Sequence, residues 1–303
     1  IYTATLDYND NSAEYNKSDE FSNTTDAALW TDGSGDANDP FLINSAAHLK
    51  QLVTNVNAGT NYEGKYFKLT TDIHVTADEW TPIGNTASTT FNGTFDGGGH
   101  TIGGELKTAS SPKQFGFFGS AAGAKIHNIN LVADITADIT GTVYFLYGGI
   151  IGLADNSTIV SSCSYSGLMK IGINVVSGEP YIYIAKICGQ NQDSKIEHCD
   201  ANGDLKVQLN SGGININSGF GGITGYCNST TYSAENPRAA IYKSINSGIV
   251  DFQNSNETNV AFVGGIVGRL HQAFMSYCKN VGELAGGKYL GGLIGSCYKS
   301  EVH

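Results

Sequence analysis

A short glycine-framed apolar run returns along the second half of this chain. The copies are Tyr147-Gly-Gly-Ile-Ile-Gly152, Ile184-Ala-Lys-Ile-Cys-Gly189, Phe220-Gly-Gly-Ile-Thr-Gly225, Val263-Gly-Gly-Ile-Val-Gly268 and Leu290-Gly-Gly-Leu-Ile-Gly295. Phe115-Gly-Phe-Phe-Gly119 reads as a degenerate first copy. From Gly148 through Ala185, Gly221 and Gly264 to Gly291 the intervals are 37, 36, 43 and 27 residues. Periods of that size belong to solenoids, propellers and arrays.

Each run is followed by a second pattern with fixed offsets. Its copies are Ile126, Ile129, Ala133, Ile135; Val160, Cys163, Gly167, Met169; Ile196, Cys199, Gly203, Leu205; Ile241, Ser244, Gly248, Val250; and Met275, Cys278, Gly282, Leu284. Short β-branched stretches broken by Gly, Asn, Ser and Asp suit strands rather than helices. The interval has room for about three short strands per turn, with glycine relieving the bends. Stacking equivalent positions about 4.8 Å apart gives each backbone group a ladder partner. One turn buries only a few aliphatic side chains, so it cannot stand alone, and stability must come from its neighbours.

Before the repeats, Leu49, Leu52, Val53 and Val56 follow one face of a helix. Asn44 or Ser45 can cap its start and Gly59 its end. A single amphipathic helix ahead of a coil of strands would cover the first open sheet edge. The expected organisation is an irregular, polar lead over 1–40, a capping-helix region over 41–65 and a coil over 66–303.

Further residues tie this pattern to a known family. Trp80-Thr-Pro-Ile-Gly84, Phe91-x-Gly-x-Phe-Asp-Gly-x-Gly-His-x-Ile102, Phe115-Gly-Phe-Phe-Gly119 and Ile126-His-Asn-Ile129 resemble secreted bacterial proteins that carry the GLUG motif. The later Gly-Gly-Ile-Ile-Gly and Cys-x-x-x-Gly copies resemble the GLUG repeats themselves, over roughly residues 30–303. The resemblance implies an all-β fold, a right-handed parallel β-helix. It also implies Bacteroides-like surface proteins of adhesin type, in which such repeats accompany other modules, peptidases among them. The third copy departs from the pattern with Ala185-Lys186 in place of Gly-Gly, and insertions interrupt the fourth.

Charge removes several functions. The net charge is −11 and the only arginines are Arg238 and Arg269, which disfavours nucleic acid and anionic membrane as partners. No apolar run approaches the length of a membrane span. The chain begins at Ile1 without a signal peptide, as a mature or trimmed chain would, so an extracellular or cell-surface location, outer-membrane anchoring included, stays open.

Catalytic signals are weak. Asp96 and His100 could act as acid and base, but Asp before Gly97-Gly98-Gly99 reads as the cap of a sharp turn. Glycosidases need a pair of carboxylates flanking the bond. Asp134, Asp204 and Glu283 share a repeat position, but Leu168 and Ile249 interrupt them, which suggests a solvated outer face. His48, His74, His100, His127, His198, His271 and His303 form no zinc-peptidase motif, and no nucleophile elbow or phosphate loop occurs. No metal or other cofactor is expected. Asp7, Asn9, Asp10 and Asn11, and Asp32, Ser34, Asp36, Asn38 and Asp39, carry oxygens that calcium favours, yet neither group completes the twelve-residue loop.

Cys163, Cys199 and Cys278 share one repeat position, and Cys227 and Cys297 another. Two-turn separations exceed disulfide reach, so free, buried thiols are expected. Tyrosines number 16, and Tyr181, Tyr183, Tyr226 and Tyr232 fall in or near the irregular segments. Insertions at 174–180, 210–218, 228–239 and 253–259 should project as a binding face. The expected function is a non-enzymatic adhesin-like module that holds these tyrosines toward a host glycan or surface protein. A polysaccharide lyase or glycoside hydrolase, and a structural spacer, are the alternatives.

Overall fold

The computed structural model describes residues 32–303, except 77–79, 109, 176–177, 179, 212–213, 215–216, 232–237 and 255–260. The lead through residue 31, Tyr232, parts of the insertions at 174–180, 210–218 and 228–239, and most of that at 253–259 lie outside the described residues.

The chain winds into a parallel β-helix. One full turn contains Phe145–Gly148, Ile151–Asp155, Ile159–Ser161, Ser164–Ser166 and Leu168–Asn174, and the next repeats it with Ile182–Ala185, Cys188–Gln192, Lys195–Glu197, Asp200–Ala201 and Asp204–Ser211. Each of these turns thus has five short strands rather than three, and like strands gather into four sheets. Crossovers of this kind are right-handed in nearly all proteins.

The register agrees with the repeat. In the nine-stranded sheet Phe67, Phe95, Ile126, Val160, Ile196, Ile241, Met275 and Val302 form one parallel row. All but Val302 are buried. Phe41–Ile43 pairs in parallel with Tyr66–Leu69, so the coil's first strand lies ahead of the helix, not at residue 66.

The corners are sharp because two rows of residues take left-handed backbone. Asn128, Ser162, His198, Lys243 and Tyr277 form one row, with φ from 44° to 57°; Ser157, Asp193, Gln272 and Lys299 belong to the other. Non-glycine residues rarely hold that conformation, so a local bond must secure it. After the first row, the Cys163 thiol donates to Ser161 O, Cys199 to Glu197 O, the Ser244 hydroxyl to Tyr242 O, and Cys278 to Ser276 O. Thiol and hydroxyl are interchangeable there because the corner needs a small donor aimed two residues back. The glycines of the recurring run act differently from expectation: Gly148, Gly221, Gly264 and Gly291 do not have left-handed φ. A Cβ on them would lie 1.8–2.1 Å from a carbonyl oxygen of their own turn, so they permit a close backbone approach.

The next glycine of the run serves the interior. A Cβ on Gly149 would meet the Tyr165 ring at 2.6 Å, and one on Gly222 or Gly265 would meet the Asn246 or Asn280 amide at 2.5 or 2.3 Å. Tyr165, Ala201, Asn246 and Asn280 are themselves one row. Where that row holds small Ala201, the chain places Lys186 instead of glycine, and its side chain is fully buried. Gly149→Ala is expected to destabilise the coil by on the order of 2 kcal/mol, read as a lower denaturation midpoint, whereas alanine at Gly292, where nothing lies within 4 Å, meets no such contact.

The helix Ala46–Asn57 begins at Ser45, whose hydroxyl accepts the His48 N–H, and buries Leu49, Leu52, Val53 and Val56. Asn57 ties its far end to the coil through Pro82 O, Gly84 N and Asn85 N. The motif residues before the repeats form an aromatic core beside it. Trp80 stacks on Phe117 and donates to Gly116 O, and Phe91 and Phe95 pack on Phe118.

Candidate functional site

The outward positions of two neighbouring sheets make an aromatic and amide face along the coil. One row runs Leu153, Gln190, Tyr226, Arg269, Ser296; two residues on, Asp155, Gln192, Asn228, His271 and Tyr298 occupy equivalent positions. Across the glycine corner lies the row Leu146, Tyr183, Gly219, Phe262, Tyr289. Alternation along each strand sends these side chains out while Cys227 and Leu270 point in.

Rings touch continuously along this face. Tyr144 stacks on Tyr181 at 4.9 Å, and Tyr183 meets Tyr226 at 4.7 Å. The Tyr226 hydroxyl lies 2.9 Å from His271 Nδ1, and His271 packs on Tyr298 at 4.9 Å. Phe262 stacks on Tyr289 at 5.0 Å. Five turns at about 4.8 Å give a ribbon roughly 20 Å long. An amide ladder borders it: Gln190 Nε2 donates to Asn228 Oδ1 at 2.9 Å, and Gln192 Nε2 to Asp155 Oδ1 at 3.1 Å.

Of the tyrosines singled out in the sequence, Tyr181 and Tyr226 lie partly exposed on this ribbon. Tyr183 lies within it but is only 2% exposed, so it supports its neighbours and is no contact platform. Tyr232 is outside the described residues. Tyr144, Phe262, Arg269, His271, Tyr289 and Tyr298 also belong to the ribbon and were not among the residues expected from spacing. The repeat itself held the signal: Tyr144 and Tyr181 each stand four residues before the Gly148/Ala185 position, and Tyr226 and Arg269 each follow the closing glycine.

Arg269 is the cation at the centre of this face, and Lys299 lies over the Tyr298 ring at its end. Arg269 lies over the Tyr226 ring at 5.3 Å and the Phe262 ring at 5.5 Å, and Nη1 donates to Asn217 O at 3.0 Å. Burial raises the Tyr226 phenol, with Arg269 opposing, and burial followed by Arg269 and Lys299 lowers His271. At neutral pH both groups are therefore uncharged, with the phenol free to donate to Nδ1.

The other candidate chemistry separates into structural roles. Asp96 Oδ1 accepts Gly98 N–H and the Asn128 amide, both at 2.9 Å. Burial pushes its carboxyl up, but Asn128, Gly98, His127 and Lys68 together hold it below the usual range. His100 faces Asp72 instead, at 3.3 Å, so the expected turn cap is present and Asp96 and His100 have different partners. Lys68, Asp96, His127, Ser161 and Glu197 do form one outward row on the nine-stranded sheet. Asp134 and Asp204 are not merely a solvated face: each accepts the backbone N–H of the next turn, from Leu168 and Ile249. Near the start of the described residues, Asp39 accepts Ser34 N–H and Asp36 pairs with Lys65.

The cysteines are free. Cys163, Cys188, Cys199 and Cys227 are buried, as expected, but Cys297 is exposed because no described strand stacks over the last turn. Burial holds the Cys199 and Cys227 thiols well above their ordinary values.

No family model matches the chain. A protein of Evansella cellulosilytica named as a Gly-rich membrane protein is 31% identical over 145 residues, covering 44% of this chain and 16% of that protein's length. A crystal structure from Bacteroides ovatus, named for an immunoglobulin A1 protease, superposes with a TM-score of 0.50 at 17% identity, covering 86% of each chain. At that identity the likeness shows the fold alone.

Proposed function

We propose that this chain is a GLUG-type binding module, displayed at a bacterial cell surface or secreted, whose ribbon of rings and amides engages glycans. The observation that carries the reading is the continuous ribbon from Tyr144 and Tyr181 through Tyr226 to Tyr298 beside the Gln190–Asn228 amides. Aromatic faces pack on the apolar faces of sugar rings while amides bond their hydroxyls, the general design of a site with few polar groups on a hydrophobic ground. The rigid stack supplies preorganisation. The Evansella relative is named as a membrane protein, which fits a cell-surface role. No helix among the described residues is long and apolar enough to cross a membrane. The mechanism is display and capture, without catalysis.

A glycan array probed with the purified chain tests this. Reproducible binding that falls about tenfold, roughly 1.4 kcal/mol, in Tyr181→Ala and in Tyr226→Ala is the expected result. A blank array, or binding untouched by both changes, contradicts it.

A polysaccharide-cleaving enzyme is the second reading, favoured by the Lys68–Asp96–His127–Ser161–Glu197 row. Against it, the Asp96 oxygen is already shared by a turn N–H and an amide. Release of reducing ends or unsaturated products from a polysaccharide panel, lost in His127→Ala, would favour that reading.

A further inference from the structure

We infer that the ribbon's ligand is an acidic oligosaccharide, and that Arg269 grips a sugar carboxylate at its centre. This rests on the glycan-binding reading above and names the ligand class.

The chain carries net charge −11 and two arginines, yet it sets one of them in the middle of the aromatic face. No carboxylate lies within salt-bridge distance of Arg269 among the described residues. The slot that it occupies is made for it. Gly219 stands where Tyr183 and Phe262 stand in the adjacent turns. A Cβ there would come within 3.1 Å of Arg269 Cγ. The side chain crosses the vacated position and sets its guanidinium beside the Tyr226 and Phe262 rings.

The group is anchored but not satisfied. It donates to Asn217 O and bonds the Tyr183 phenol. Guanidinium has five N–H donors; Nε is buried and has no partner, so the terminal nitrogens are the ones that can meet a ligand. Flanked by rings, the planar fork matches a carboxylate with two coplanar oxygens better than it matches a neutral hydroxyl. Its neighbours do not compete for that anion, because Tyr226 stays protonated and His271 stays neutral. A cation on a surface of opposite net charge also draws an acidic ligand toward the ribbon, where Lys299 over the Tyr298 ring adds a second positive charge.

Two measurements test the inference on the intact chain. The first is titration calorimetry with a sialylated or uronate-containing oligosaccharide, its methyl ester, a sulfated analogue and the neutral parent sugar. The carboxylated sugar is expected to bind at least tenfold more tightly than its ester or the neutral sugar, with the advantage shrinking in high salt. The second uses Arg269→Gln, whose fold is checked by its melting curve, and Arg269→Lys, which keeps charge and loses the fork. Both are expected to erase most of the preference for carboxylate, read within each variant as the ratio of its affinities for the carboxylated sugar and the methyl ester. Equal affinity for carboxylate and ester overturns the inference and leaves the glycan-binding reading intact. Preference for sulfate over carboxylate overturns the fork argument. No binding of any sugar overturns both readings. The ester comparison uses the unaltered protein, so it decides the matter even if the variants fail to fold.

Discussion

Ile196→Asp is expected to destabilise the coil by more than about 4 kcal/mol and to lower the melting temperature by on the order of 10 °C. Ile196 is fully buried, mid-stack, between Val160 and Ile241. The change removes apolar contacts in both directions and places a carboxylate where no donor faces it. Glu197→Ala, one residue on, is the control. Its side chain is outward, since neighbouring residues of a strand face opposite sides, and the expected effect lies within about 0.5 kcal/mol. Thermal and denaturant unfolding of the two variants reads the difference. If Ile196→Asp melts like the parent, the register assigned to the stack is wrong.

Lys186 should give the coil an unusual dependence on pH. Its Nζ donates to Gly203 O at 2.7 Å and to Ile249 O at 3.4 Å. Burial pulls its pKa down to about 7 from 10.5, with Asp204 opposing the fall. Below pH 7 folded and unfolded chains both hold the proton, and the folded chain carries the full cost of a buried cation. From pH 7 to 10.5 the unfolded chain still binds the proton and the folded chain does not, so stability rises with pH. Lys186→Met removes this group while roughly keeping its volume, although it leaves Gly203 O without the Nζ bond. The stability of the parent minus that of Lys186→Met is expected to rise with a slope approaching about 1.4 kcal/mol per pH unit over that window, or about 2 kcal/mol from pH 7 to 9. A difference that stays flat from pH 6 to 9 would show that Nζ is solvated or remains charged when folded.

The coil was legible because its period is long and its rows are pure. Ile126, Val160, Ile196, Ile241, Met275 and Val302 could be aligned from spacing alone, and they are one row in the structure. The Cys163, Cys199, Ser244 and Cys278 row was equally visible, but its purpose was not. A thiol that donates two residues back matters only once the preceding residue is known to be left-handed. The strand count was misjudged for the same reason: left-handed corners at Ser162, His198 and Lys243 carry no glycine, so the sequence does not advertise a bend there. Lys186 looked like a defect in the repeat and is its complement, filling the space opposite Ala201.

The candidate surface was half visible. Tyr181 and Tyr226 were found as aromatics near irregular segments, whereas the ribbon depends on what stands beside them one turn away. Tyr144 is far from Tyr226 in sequence, and Arg269 becomes meaningful only through the gap at Gly219. Such neighbours are set by register across 36 to 43 residues, which local composition does not report. Tyr183 was misread as a contact residue because its exposure depends on Tyr144 and Tyr226 closing over it.

A crystal structure with an acidic oligosaccharide soaked in decides whether the aromatic ribbon is the binding face. Sugar rings are expected to lie along Tyr144, Tyr181 and Tyr226, with a carboxylate against Arg269. Sugar bound instead on the opposite row of Lys68, Asp96 and His127, or an empty ribbon at concentrations that saturate binding in solution, would contradict that placement.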